Sequence, residues 1–154
     1  MEDRYLFKAK RLDNGEWVKG ALVYDDMDKF YRIITEIDYS TGTCITTDKA
    51  PRVDASTICQ CTGLKDKNNN LIYENDILDG FTYPYMTDSA HNYYAEVCWC
   101  TNVPGFGVYT QKYPESKVSG ISAGMTELME DWCPEEWEVI GNIFDNPELL
   151  ESER

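Results

Sequence analysis

The sequence predicts a mainly β, α+β domain: a small, bent antiparallel sheet or partly open barrel with two short C-terminal helices. Three observations carry that expectation. Aromatic and β-branched residues gather in short runs, helped by eleven tyrosines and four tryptophans, and such side chains suit a pleated, half-buried surface. Turn signals rich in Asn, Asp, Gly and Pro separate the runs. Helical periodicity enters late, at Met125 and again after Asn146.

The first element is a hairpin. YLFKAKRLDNGEWVKGALVY, residues 5–24, places two runs around Asn14-Gly15, a dipeptide whose residues both tolerate the positive φ of a tight turn. FYRIITEI (30–37) reads as a third strand, and STGT (40–43) turns into a short strand CITT (44–47). VDASTICQCTG (53–63) alternates Val53, Ala55, Thr57, Cys59 and Cys61 on one strand face. The polar turn KDKNNN (65–70) leads into LIYENDIL (71–78), a strand expected to carry a bulge near Glu74-Asn75-Asp76, or to be buried on both faces, because its apolar residues change parity.

Residues 80–92 lack a period and read as a loop. YYAEVCWCT (93–101) and GFGVYTQKY (105–113) then form a second hairpin. Met125, Leu128, Met129 and Trp132 fall at i, i+3, i+4 and i+7, one face of a short helix that Pro134 ends. WEVIGNIF (137–144) returns to strand, and NPELLESE (146–153) is expected as a closing helix with Asn146 at its N-cap and Pro147 at its first position. The core expected from these patterns holds Trp17, Tyr73, Ile77, Val97, Trp99, Val139 and Ile143. One domain over 1–154 fits the length, mostly β to residue 114 and mixed helix and strand from 115.

The formal charge is −14, of which residues 115–154 contribute −9 through eleven acids against Lys117 and Arg154. Such a balance repels phosphate backbones and argues against direct nucleic-acid binding. It favours a basic protein partner or plain solubility. No 18-residue apolar run is present, so no membrane helix is expected. MEDRYLF lacks the basic and apolar regions of a secretory signal, so a cytoplasmic location with reduced thiols is expected.

Three blocks are identified with a known family. FKAKRLDNGEWVKGALV (7–23), QCTGLKDKNNNLIYENDIL (60–78) and EVIGNIFDNPELL (138–150), taken in order, resemble the YopX family of phage and prophage proteins. The resemblance covers both ends and the middle. It departs at Asn70 and Asn75, where the family usually has glycine; asparagine is the non-glycine residue that best accepts positive φ. Cys59 and Cys61, around Gln60, also replace the more usual Gly and aromatic. The resemblance implies a phage or prophage origin, with the cytoplasm of a bacterial host as its location, and brings no mechanism.

Candidate chemistry is sparse. Cys59-x-Cys61 and Cys98-x-Cys100, with Cys44 and Cys133, raise a zinc reading. C-x-C in a strand merely puts two sulfurs on one face roughly 6.5 Å apart, and structural zinc prefers two to four intervening residues. Free buried thiols are the expectation. His91 stands in the loop with no nucleophile motif beside it. The acids around Trp132 and Trp137 (EDWCPEEWE) suggest a negative patch with aromatic anchors more than a catalytic carboxylate pair, which needs a walled cleft. The Asp66–Asn70 turn is read as scaffold. No catalytic or metal residue is assigned, no cofactor is expected, and the binding residues are left open. The expected function is a non-catalytic protein-interaction module using the acidic C-terminal third, in a sharper version as a decoy for a DNA-binding protein. The alternative is a structural protein that assembles with itself into a homo-oligomer.

Overall fold

The computed structural model describes residues 3–35, 50–81, 93–101, 105–112, 126–128 and 136–149. The expected CITT strand, His91, Trp132, Cys44 and Cys133 lie outside the described residues. The chain divides into two compact units, Met1–Gly63 and Leu64–Arg154.

In the first unit, β1 (Phe7–Lys10), β2 (Trp17–Asp25), β3 (Phe30–Ile34), β4 (Arg52–Val53) and the start of β5 (Cys59–Lys65) form an antiparallel array in the order β4-β3-β2-β1-β5. The expected first hairpin is present, with Lys10 opposite Trp17, but its loop is longer than a two-residue turn. The amide of Arg11 donates to the carbonyl of Glu16, and Gly15 alone in the loop takes positive φ, at 74°. Asn14 serves through its side chain, whose Oδ1 accepts from the Glu16 amide at 2.9 Å.

The run from Val53 to Cys61 is not one strand. Asp54 caps a single 3-10 turn, Ala55–Thr57, by accepting from the Ser56 amide. Asp and Ser side chains offer the backbone a local alternative to the ladder, which is why alternation alone misled here. Val53, Thr57, Cys59 and Cys61 are nevertheless all buried. Ala9, Ile33 and Val53 form the core of this unit, flanked by Phe7, Val18, Leu22 and Ile58.

In the second unit β6 (Leu71–Tyr73) folds back after the Asp66–Asn70 turn. It is followed by β7 (Asp76–Phe81), β8 (Tyr93–Cys100), β9 (Gly105–Lys112), β10 (Thr126–Leu128) and β11 (Glu138–Asn142). Five of these make an antiparallel sheet ordered β10-β9-β8-β7-β11. The β8–β9 hairpin is as expected. LIYENDIL holds a sharp turn in place of the expected bulge: β6 and β7 belong to different sheets, and Asn75, at φ 65°, turns the chain between them. The other left-handed asparagine is Asn69, and Asn70 instead donates to Asp66. Ile72, Leu78, Ala95, Val97, Val108 and Trp137 pack as this unit's core.

Neither expected C-terminal helix is present among the described residues. Thr126–Leu128 is a strand paired with Gly107–Tyr109 on the edge of β9. An isolated helix shorter than about 12 residues is marginal, and the open edge of a formed sheet supplies backbone partners that a short helix must find for itself. NPELLESE yields one 3-10 turn, Pro147–Leu149. Asn146 does not cap it; its Oδ1 turns back to accept from the Asn142 amide. Gly141 makes that fold-back possible, since a Cβ there would lie 2.3 Å from Asn146 Oδ1.

Among the described residues the strands form two antiparallel sheets with no closed barrel, and the helices are 3-10 turns. Of the expected core, Tyr73, Ile77 and Val97 are buried, while Trp17, Val139 and Ile143 are half-buried. Trp99 is a correction: it is 49% exposed, one residue from the end of β8, and meets its cross-strand partner Phe106 edge-on. Strand parity points the ring to one face but does not say where that face stops being covered.

Candidate functional site

Two features of the first unit stand out, and both grow from the β2–β3 hairpin. Its turn is written in aspartates. The Asp25 carbonyl accepts from the Lys29 amide at 2.8 Å and its carboxylate from Met27, while Asp28 Oδ1 accepts from Phe30. Lys29 takes the left-handed conformation, with φ 63°. With local acceptors satisfying its amides, the turn leaves Met27 at the tip, 95% exposed. Tyr24 and Tyr31 are direct cross-strand partners with ring centroids 5.0 Å apart, and both are exposed. The result is a small apolar and aromatic surface facing solvent.

On the opposite face of β3, where Phe30 and Arg32 alternate with Tyr31, lies an open cavity of about 770 Å³, lined by Arg11, Leu12, Phe30, Arg32, Pro51 and Arg52 among others. Arg32 is almost fully engaged: Nε to Asp25 at 3.1 Å, Nη2 to Asp28, Nη1 to the Ala50 carbonyl at 2.7 Å. Arg52 donates to Asp28 at 2.8 Å and lies over the Phe30 ring, 4.6 Å from its centroid. Arg11 forks onto Asp13 through Nε and Nη2 at 2.9 and 2.6 Å. Desolvation alone would raise the Asp28 pKa, but the hydrogen bonds from Phe30, Arg32 and Arg52 outweigh it and hold the carboxyl below its usual range. Asp13 is likewise held down, first by its hydrogen bond to Arg11.

The residues singled out from sequence are scattered. Cys59 and Cys61 are buried thiols on β5, outside any disulfide; on β8, Cys98 is half-buried and Cys100 buried. Burial, then Cys100, Glu96 and Glu74 nearby, push the Cys98 thiol up to about 11. Such a thiol stays protonated and is a poor nucleophile at neutral pH. Among the described residues, no three His, Cys, Asp or Glu side chains come together as a metal site requires. Of the EDWCPEEWE segment, Glu136 is exposed, Trp137 is buried at 3%, and Glu138 pairs with Lys67 at 2.6 Å.

The Asp66–Asn70 turn is scaffold in a specific sense. The Asp66 carboxylate, 4% exposed, accepts from the amides of Asn68 and Asn70, from Asn70 Nδ2, and from the Val139 amide at 3.1 Å. The Lys67 amide donates to the Trp137 carbonyl. Through these bonds the turn lies against the start of β11 and occupies the Val139 amide and the Trp137 carbonyl. Sequence reading passes over Tyr24, Met27, Tyr31 and the three arginines, although DDMDK between two aromatic-bearing runs is itself a hairpin signal.

No helix among the described residues is long and apolar enough to cross a membrane. The model of the YopX protein family matches residues 6–151. The crystal structure of protein EF1440 from Enterococcus faecalis is similar, with a TM-score of 0.51 and 24% identity over 94% of this chain and 96% of that one, which bears on the fold. No curated protein matches the chain.

Proposed function

This chain belongs to the YopX protein family, and from that premise we propose that it is a non-catalytic accessory protein of phage or prophage type that works in the bacterial cytoplasm by binding another protein. The observation that carries the reading is the hairpin tip, where Met27, Tyr24 and Tyr31 face solvent together on a locally braced turn. Aromatic side chains and Met are enriched where proteins meet, and a rigid ring loses little entropy on docking. Charge supports the same reading. The first unit carries nine Lys and Arg against eleven Asp and Glu, a net −2, so −12 falls to the second. The acidic C-terminal third then steers a basic partner, and in the sharper version acts as a decoy that occupies the groove of a DNA-binding protein.

Self-assembly through an open sheet edge is the second reading, and the geometry supports it less. The Val139 amide of β11 is taken by Asp66, and the other edge strands β4, β6 and β10 offer two, three and three residues. Capture from host lysate at low and high salt, with wild-type protein and with Tyr24→Ser/Tyr31→Ser, tests the proposal. A defined basic protein retained by the wild type, weakened by salt and lost with the double variant is expected. A discrete homo-oligomer by light scattering with no retained partner would replace this reading with the second.

A further inference from the structure

We infer that the cavity of the first unit is a binding site for a small organic anion with one oxyanion head, carboxylate or phosphate, on an apolar body. Ligand sites are concave, in the range of roughly 300–1,000 Å³, with apolar walls and few polar groups; this one has about 770 Å³, with Leu12, Phe30 and Pro51 on its lining. Its polar lining is Arg11, Arg32 and Arg52 with Asp13 and Thr35, and the guanidinium is the side chain best shaped for planar oxyanions.

Their internal partners make the site selective without silencing it. Asp13 holds Arg11 by Nε and Nη2, and Asp28 holds Arg52 by Nε and Nη2, so Nη1 of each takes no part in those contacts. Arg52 is further fixed by stacking on Phe30. Two guanidiniums are thereby oriented before any ligand arrives, which lowers the entropic cost of binding. Arg32 has each of its three nitrogens bonded, to Asp25, Asp28 and the Ala50 carbonyl, so it acts chiefly as the brace behind the site. Three carboxylates already balance three guanidiniums here, so the site suits a single oxyanion head and disfavours a polyanion. A chain of net charge −14 disfavours nucleic acid for the same reason.

Titration calorimetry or chemical-shift mapping with benzoate and phenyl phosphate as probes tests this, with acetate and inorganic phosphate as head-only controls. The full chain is used throughout. Saturable binding of benzoate or phenyl phosphate is expected, stronger than that of the matching control, with shifts confined to residues around Arg11, Phe30 and Arg52. Which probe wins separates a carboxylate site from a phosphate site. Arg52→Gln should weaken binding at least about tenfold, the loss of one charge-assisted hydrogen bond. Arg11→Gln is the second variant, because Arg11 and Asp13 pair at the surface and that change leaves nothing buried unpaired; it should weaken binding by a similar factor while the urea midpoint stays put. No saturable binding by either probe, or binding unaltered by Arg11→Gln and by folded Arg52→Gln, would overturn the inference.

Discussion

Replacing Asp66 by alanine removes a carboxylate that accepts four hydrogen bonds, three from backbone amides. A hydrogen bond to a charged group contributes about 1.5–3 kcal/mol, and a buried donor left without a partner costs about the same. The four do not add. Asn68 and Asn70 are exposed, so water can replace much of what their amides lose. The Val139 amide sits on a half-buried strand and loses its bond in full. One full loss of about 2 kcal/mol and about 1 kcal/mol for the relaxed turn give an expected destabilisation of about 3 kcal/mol. Asp66→Asn keeps one acceptor oxygen and should lose about half as much. Urea unfolding followed by tryptophan fluorescence reads this, since the carbonyl of the buried Trp137 accepts from the Lys67 amide of the same turn.

The effect must also depend on pH. Burial raises the Asp66 pKa, but the hydrogen bonds from Val139, Asn70 and Asn68 outweigh it, so the folded pKa lies below the ordinary value. A depressed carboxylate contributes stability that is fully present above the unfolded pKa, about 4, and is lost as pH falls through the folded pKa. The gap between wild type and Asp66→Ala should therefore be full at pH 7 and narrow as pH falls below about 4. A shift under about 0.5 kcal/mol at pH 7, the size of an ordinary surface change, or a gap that is unchanged well below pH 4, would refute the reasoning.

Gly20→Ala should destabilise the first unit by about 3 kcal/mol, because its Cβ would lie 2.1 Å from the Ile34 carbonyl oxygen and force β2 from β3; an unchanged urea midpoint would contradict the close approach. Cys98 should alkylate with iodoacetamide roughly a hundredfold more slowly at pH 8 than an ordinary thiol, speeding up as pH approaches 11, as peptide mass spectrometry would show. Reaction at the ordinary rate would mean that the site is more open than its burial implies. Protein purified without chelator should carry no stoichiometric zinc, and one equivalent per chain by elemental analysis would revive the C-x-C reading.

Local chemistry was legible in this sequence wherever one or two residues decide the backbone. Asn14-Gly15 announced a hairpin, and the run of asparagines announced a turn, because Gly and Asn tolerate the left-handed region at little cost. Which residue of such a run turns was not legible: Asn69 takes φ 65° and Asn70 donates to Asp66, whose carboxylate also accepts from Val139, 73 residues away. Helical spacing at Met125–Trp132 failed for a related reason. Thr126–Leu128 lies against β9, and no local pattern records that a strand edge is within reach. The arginine cavity needed tertiary information throughout, since Arg11, Arg32 and Arg52 come from three elements that only sheet pairing unites.

Two Asp-centred turns show how similar sequence serves opposite ends. At Asp66 the carboxylate is buried, gathers amides from its own turn and takes the Val139 amide of β11. At Asp25–Asp28 the carboxylates again satisfy the turn, but they share themselves with Arg32 and Arg52, and the side chain at the apex is Met27. An apex whose backbone is already satisfied can expose an apolar side chain without exposing unpaired amides, so contact there adds apolar burial without inviting strand addition. That combination, short edge strands and a braced apolar tip, is the support for the proposed side-chain-mediated partner interface over sheet-to-sheet assembly.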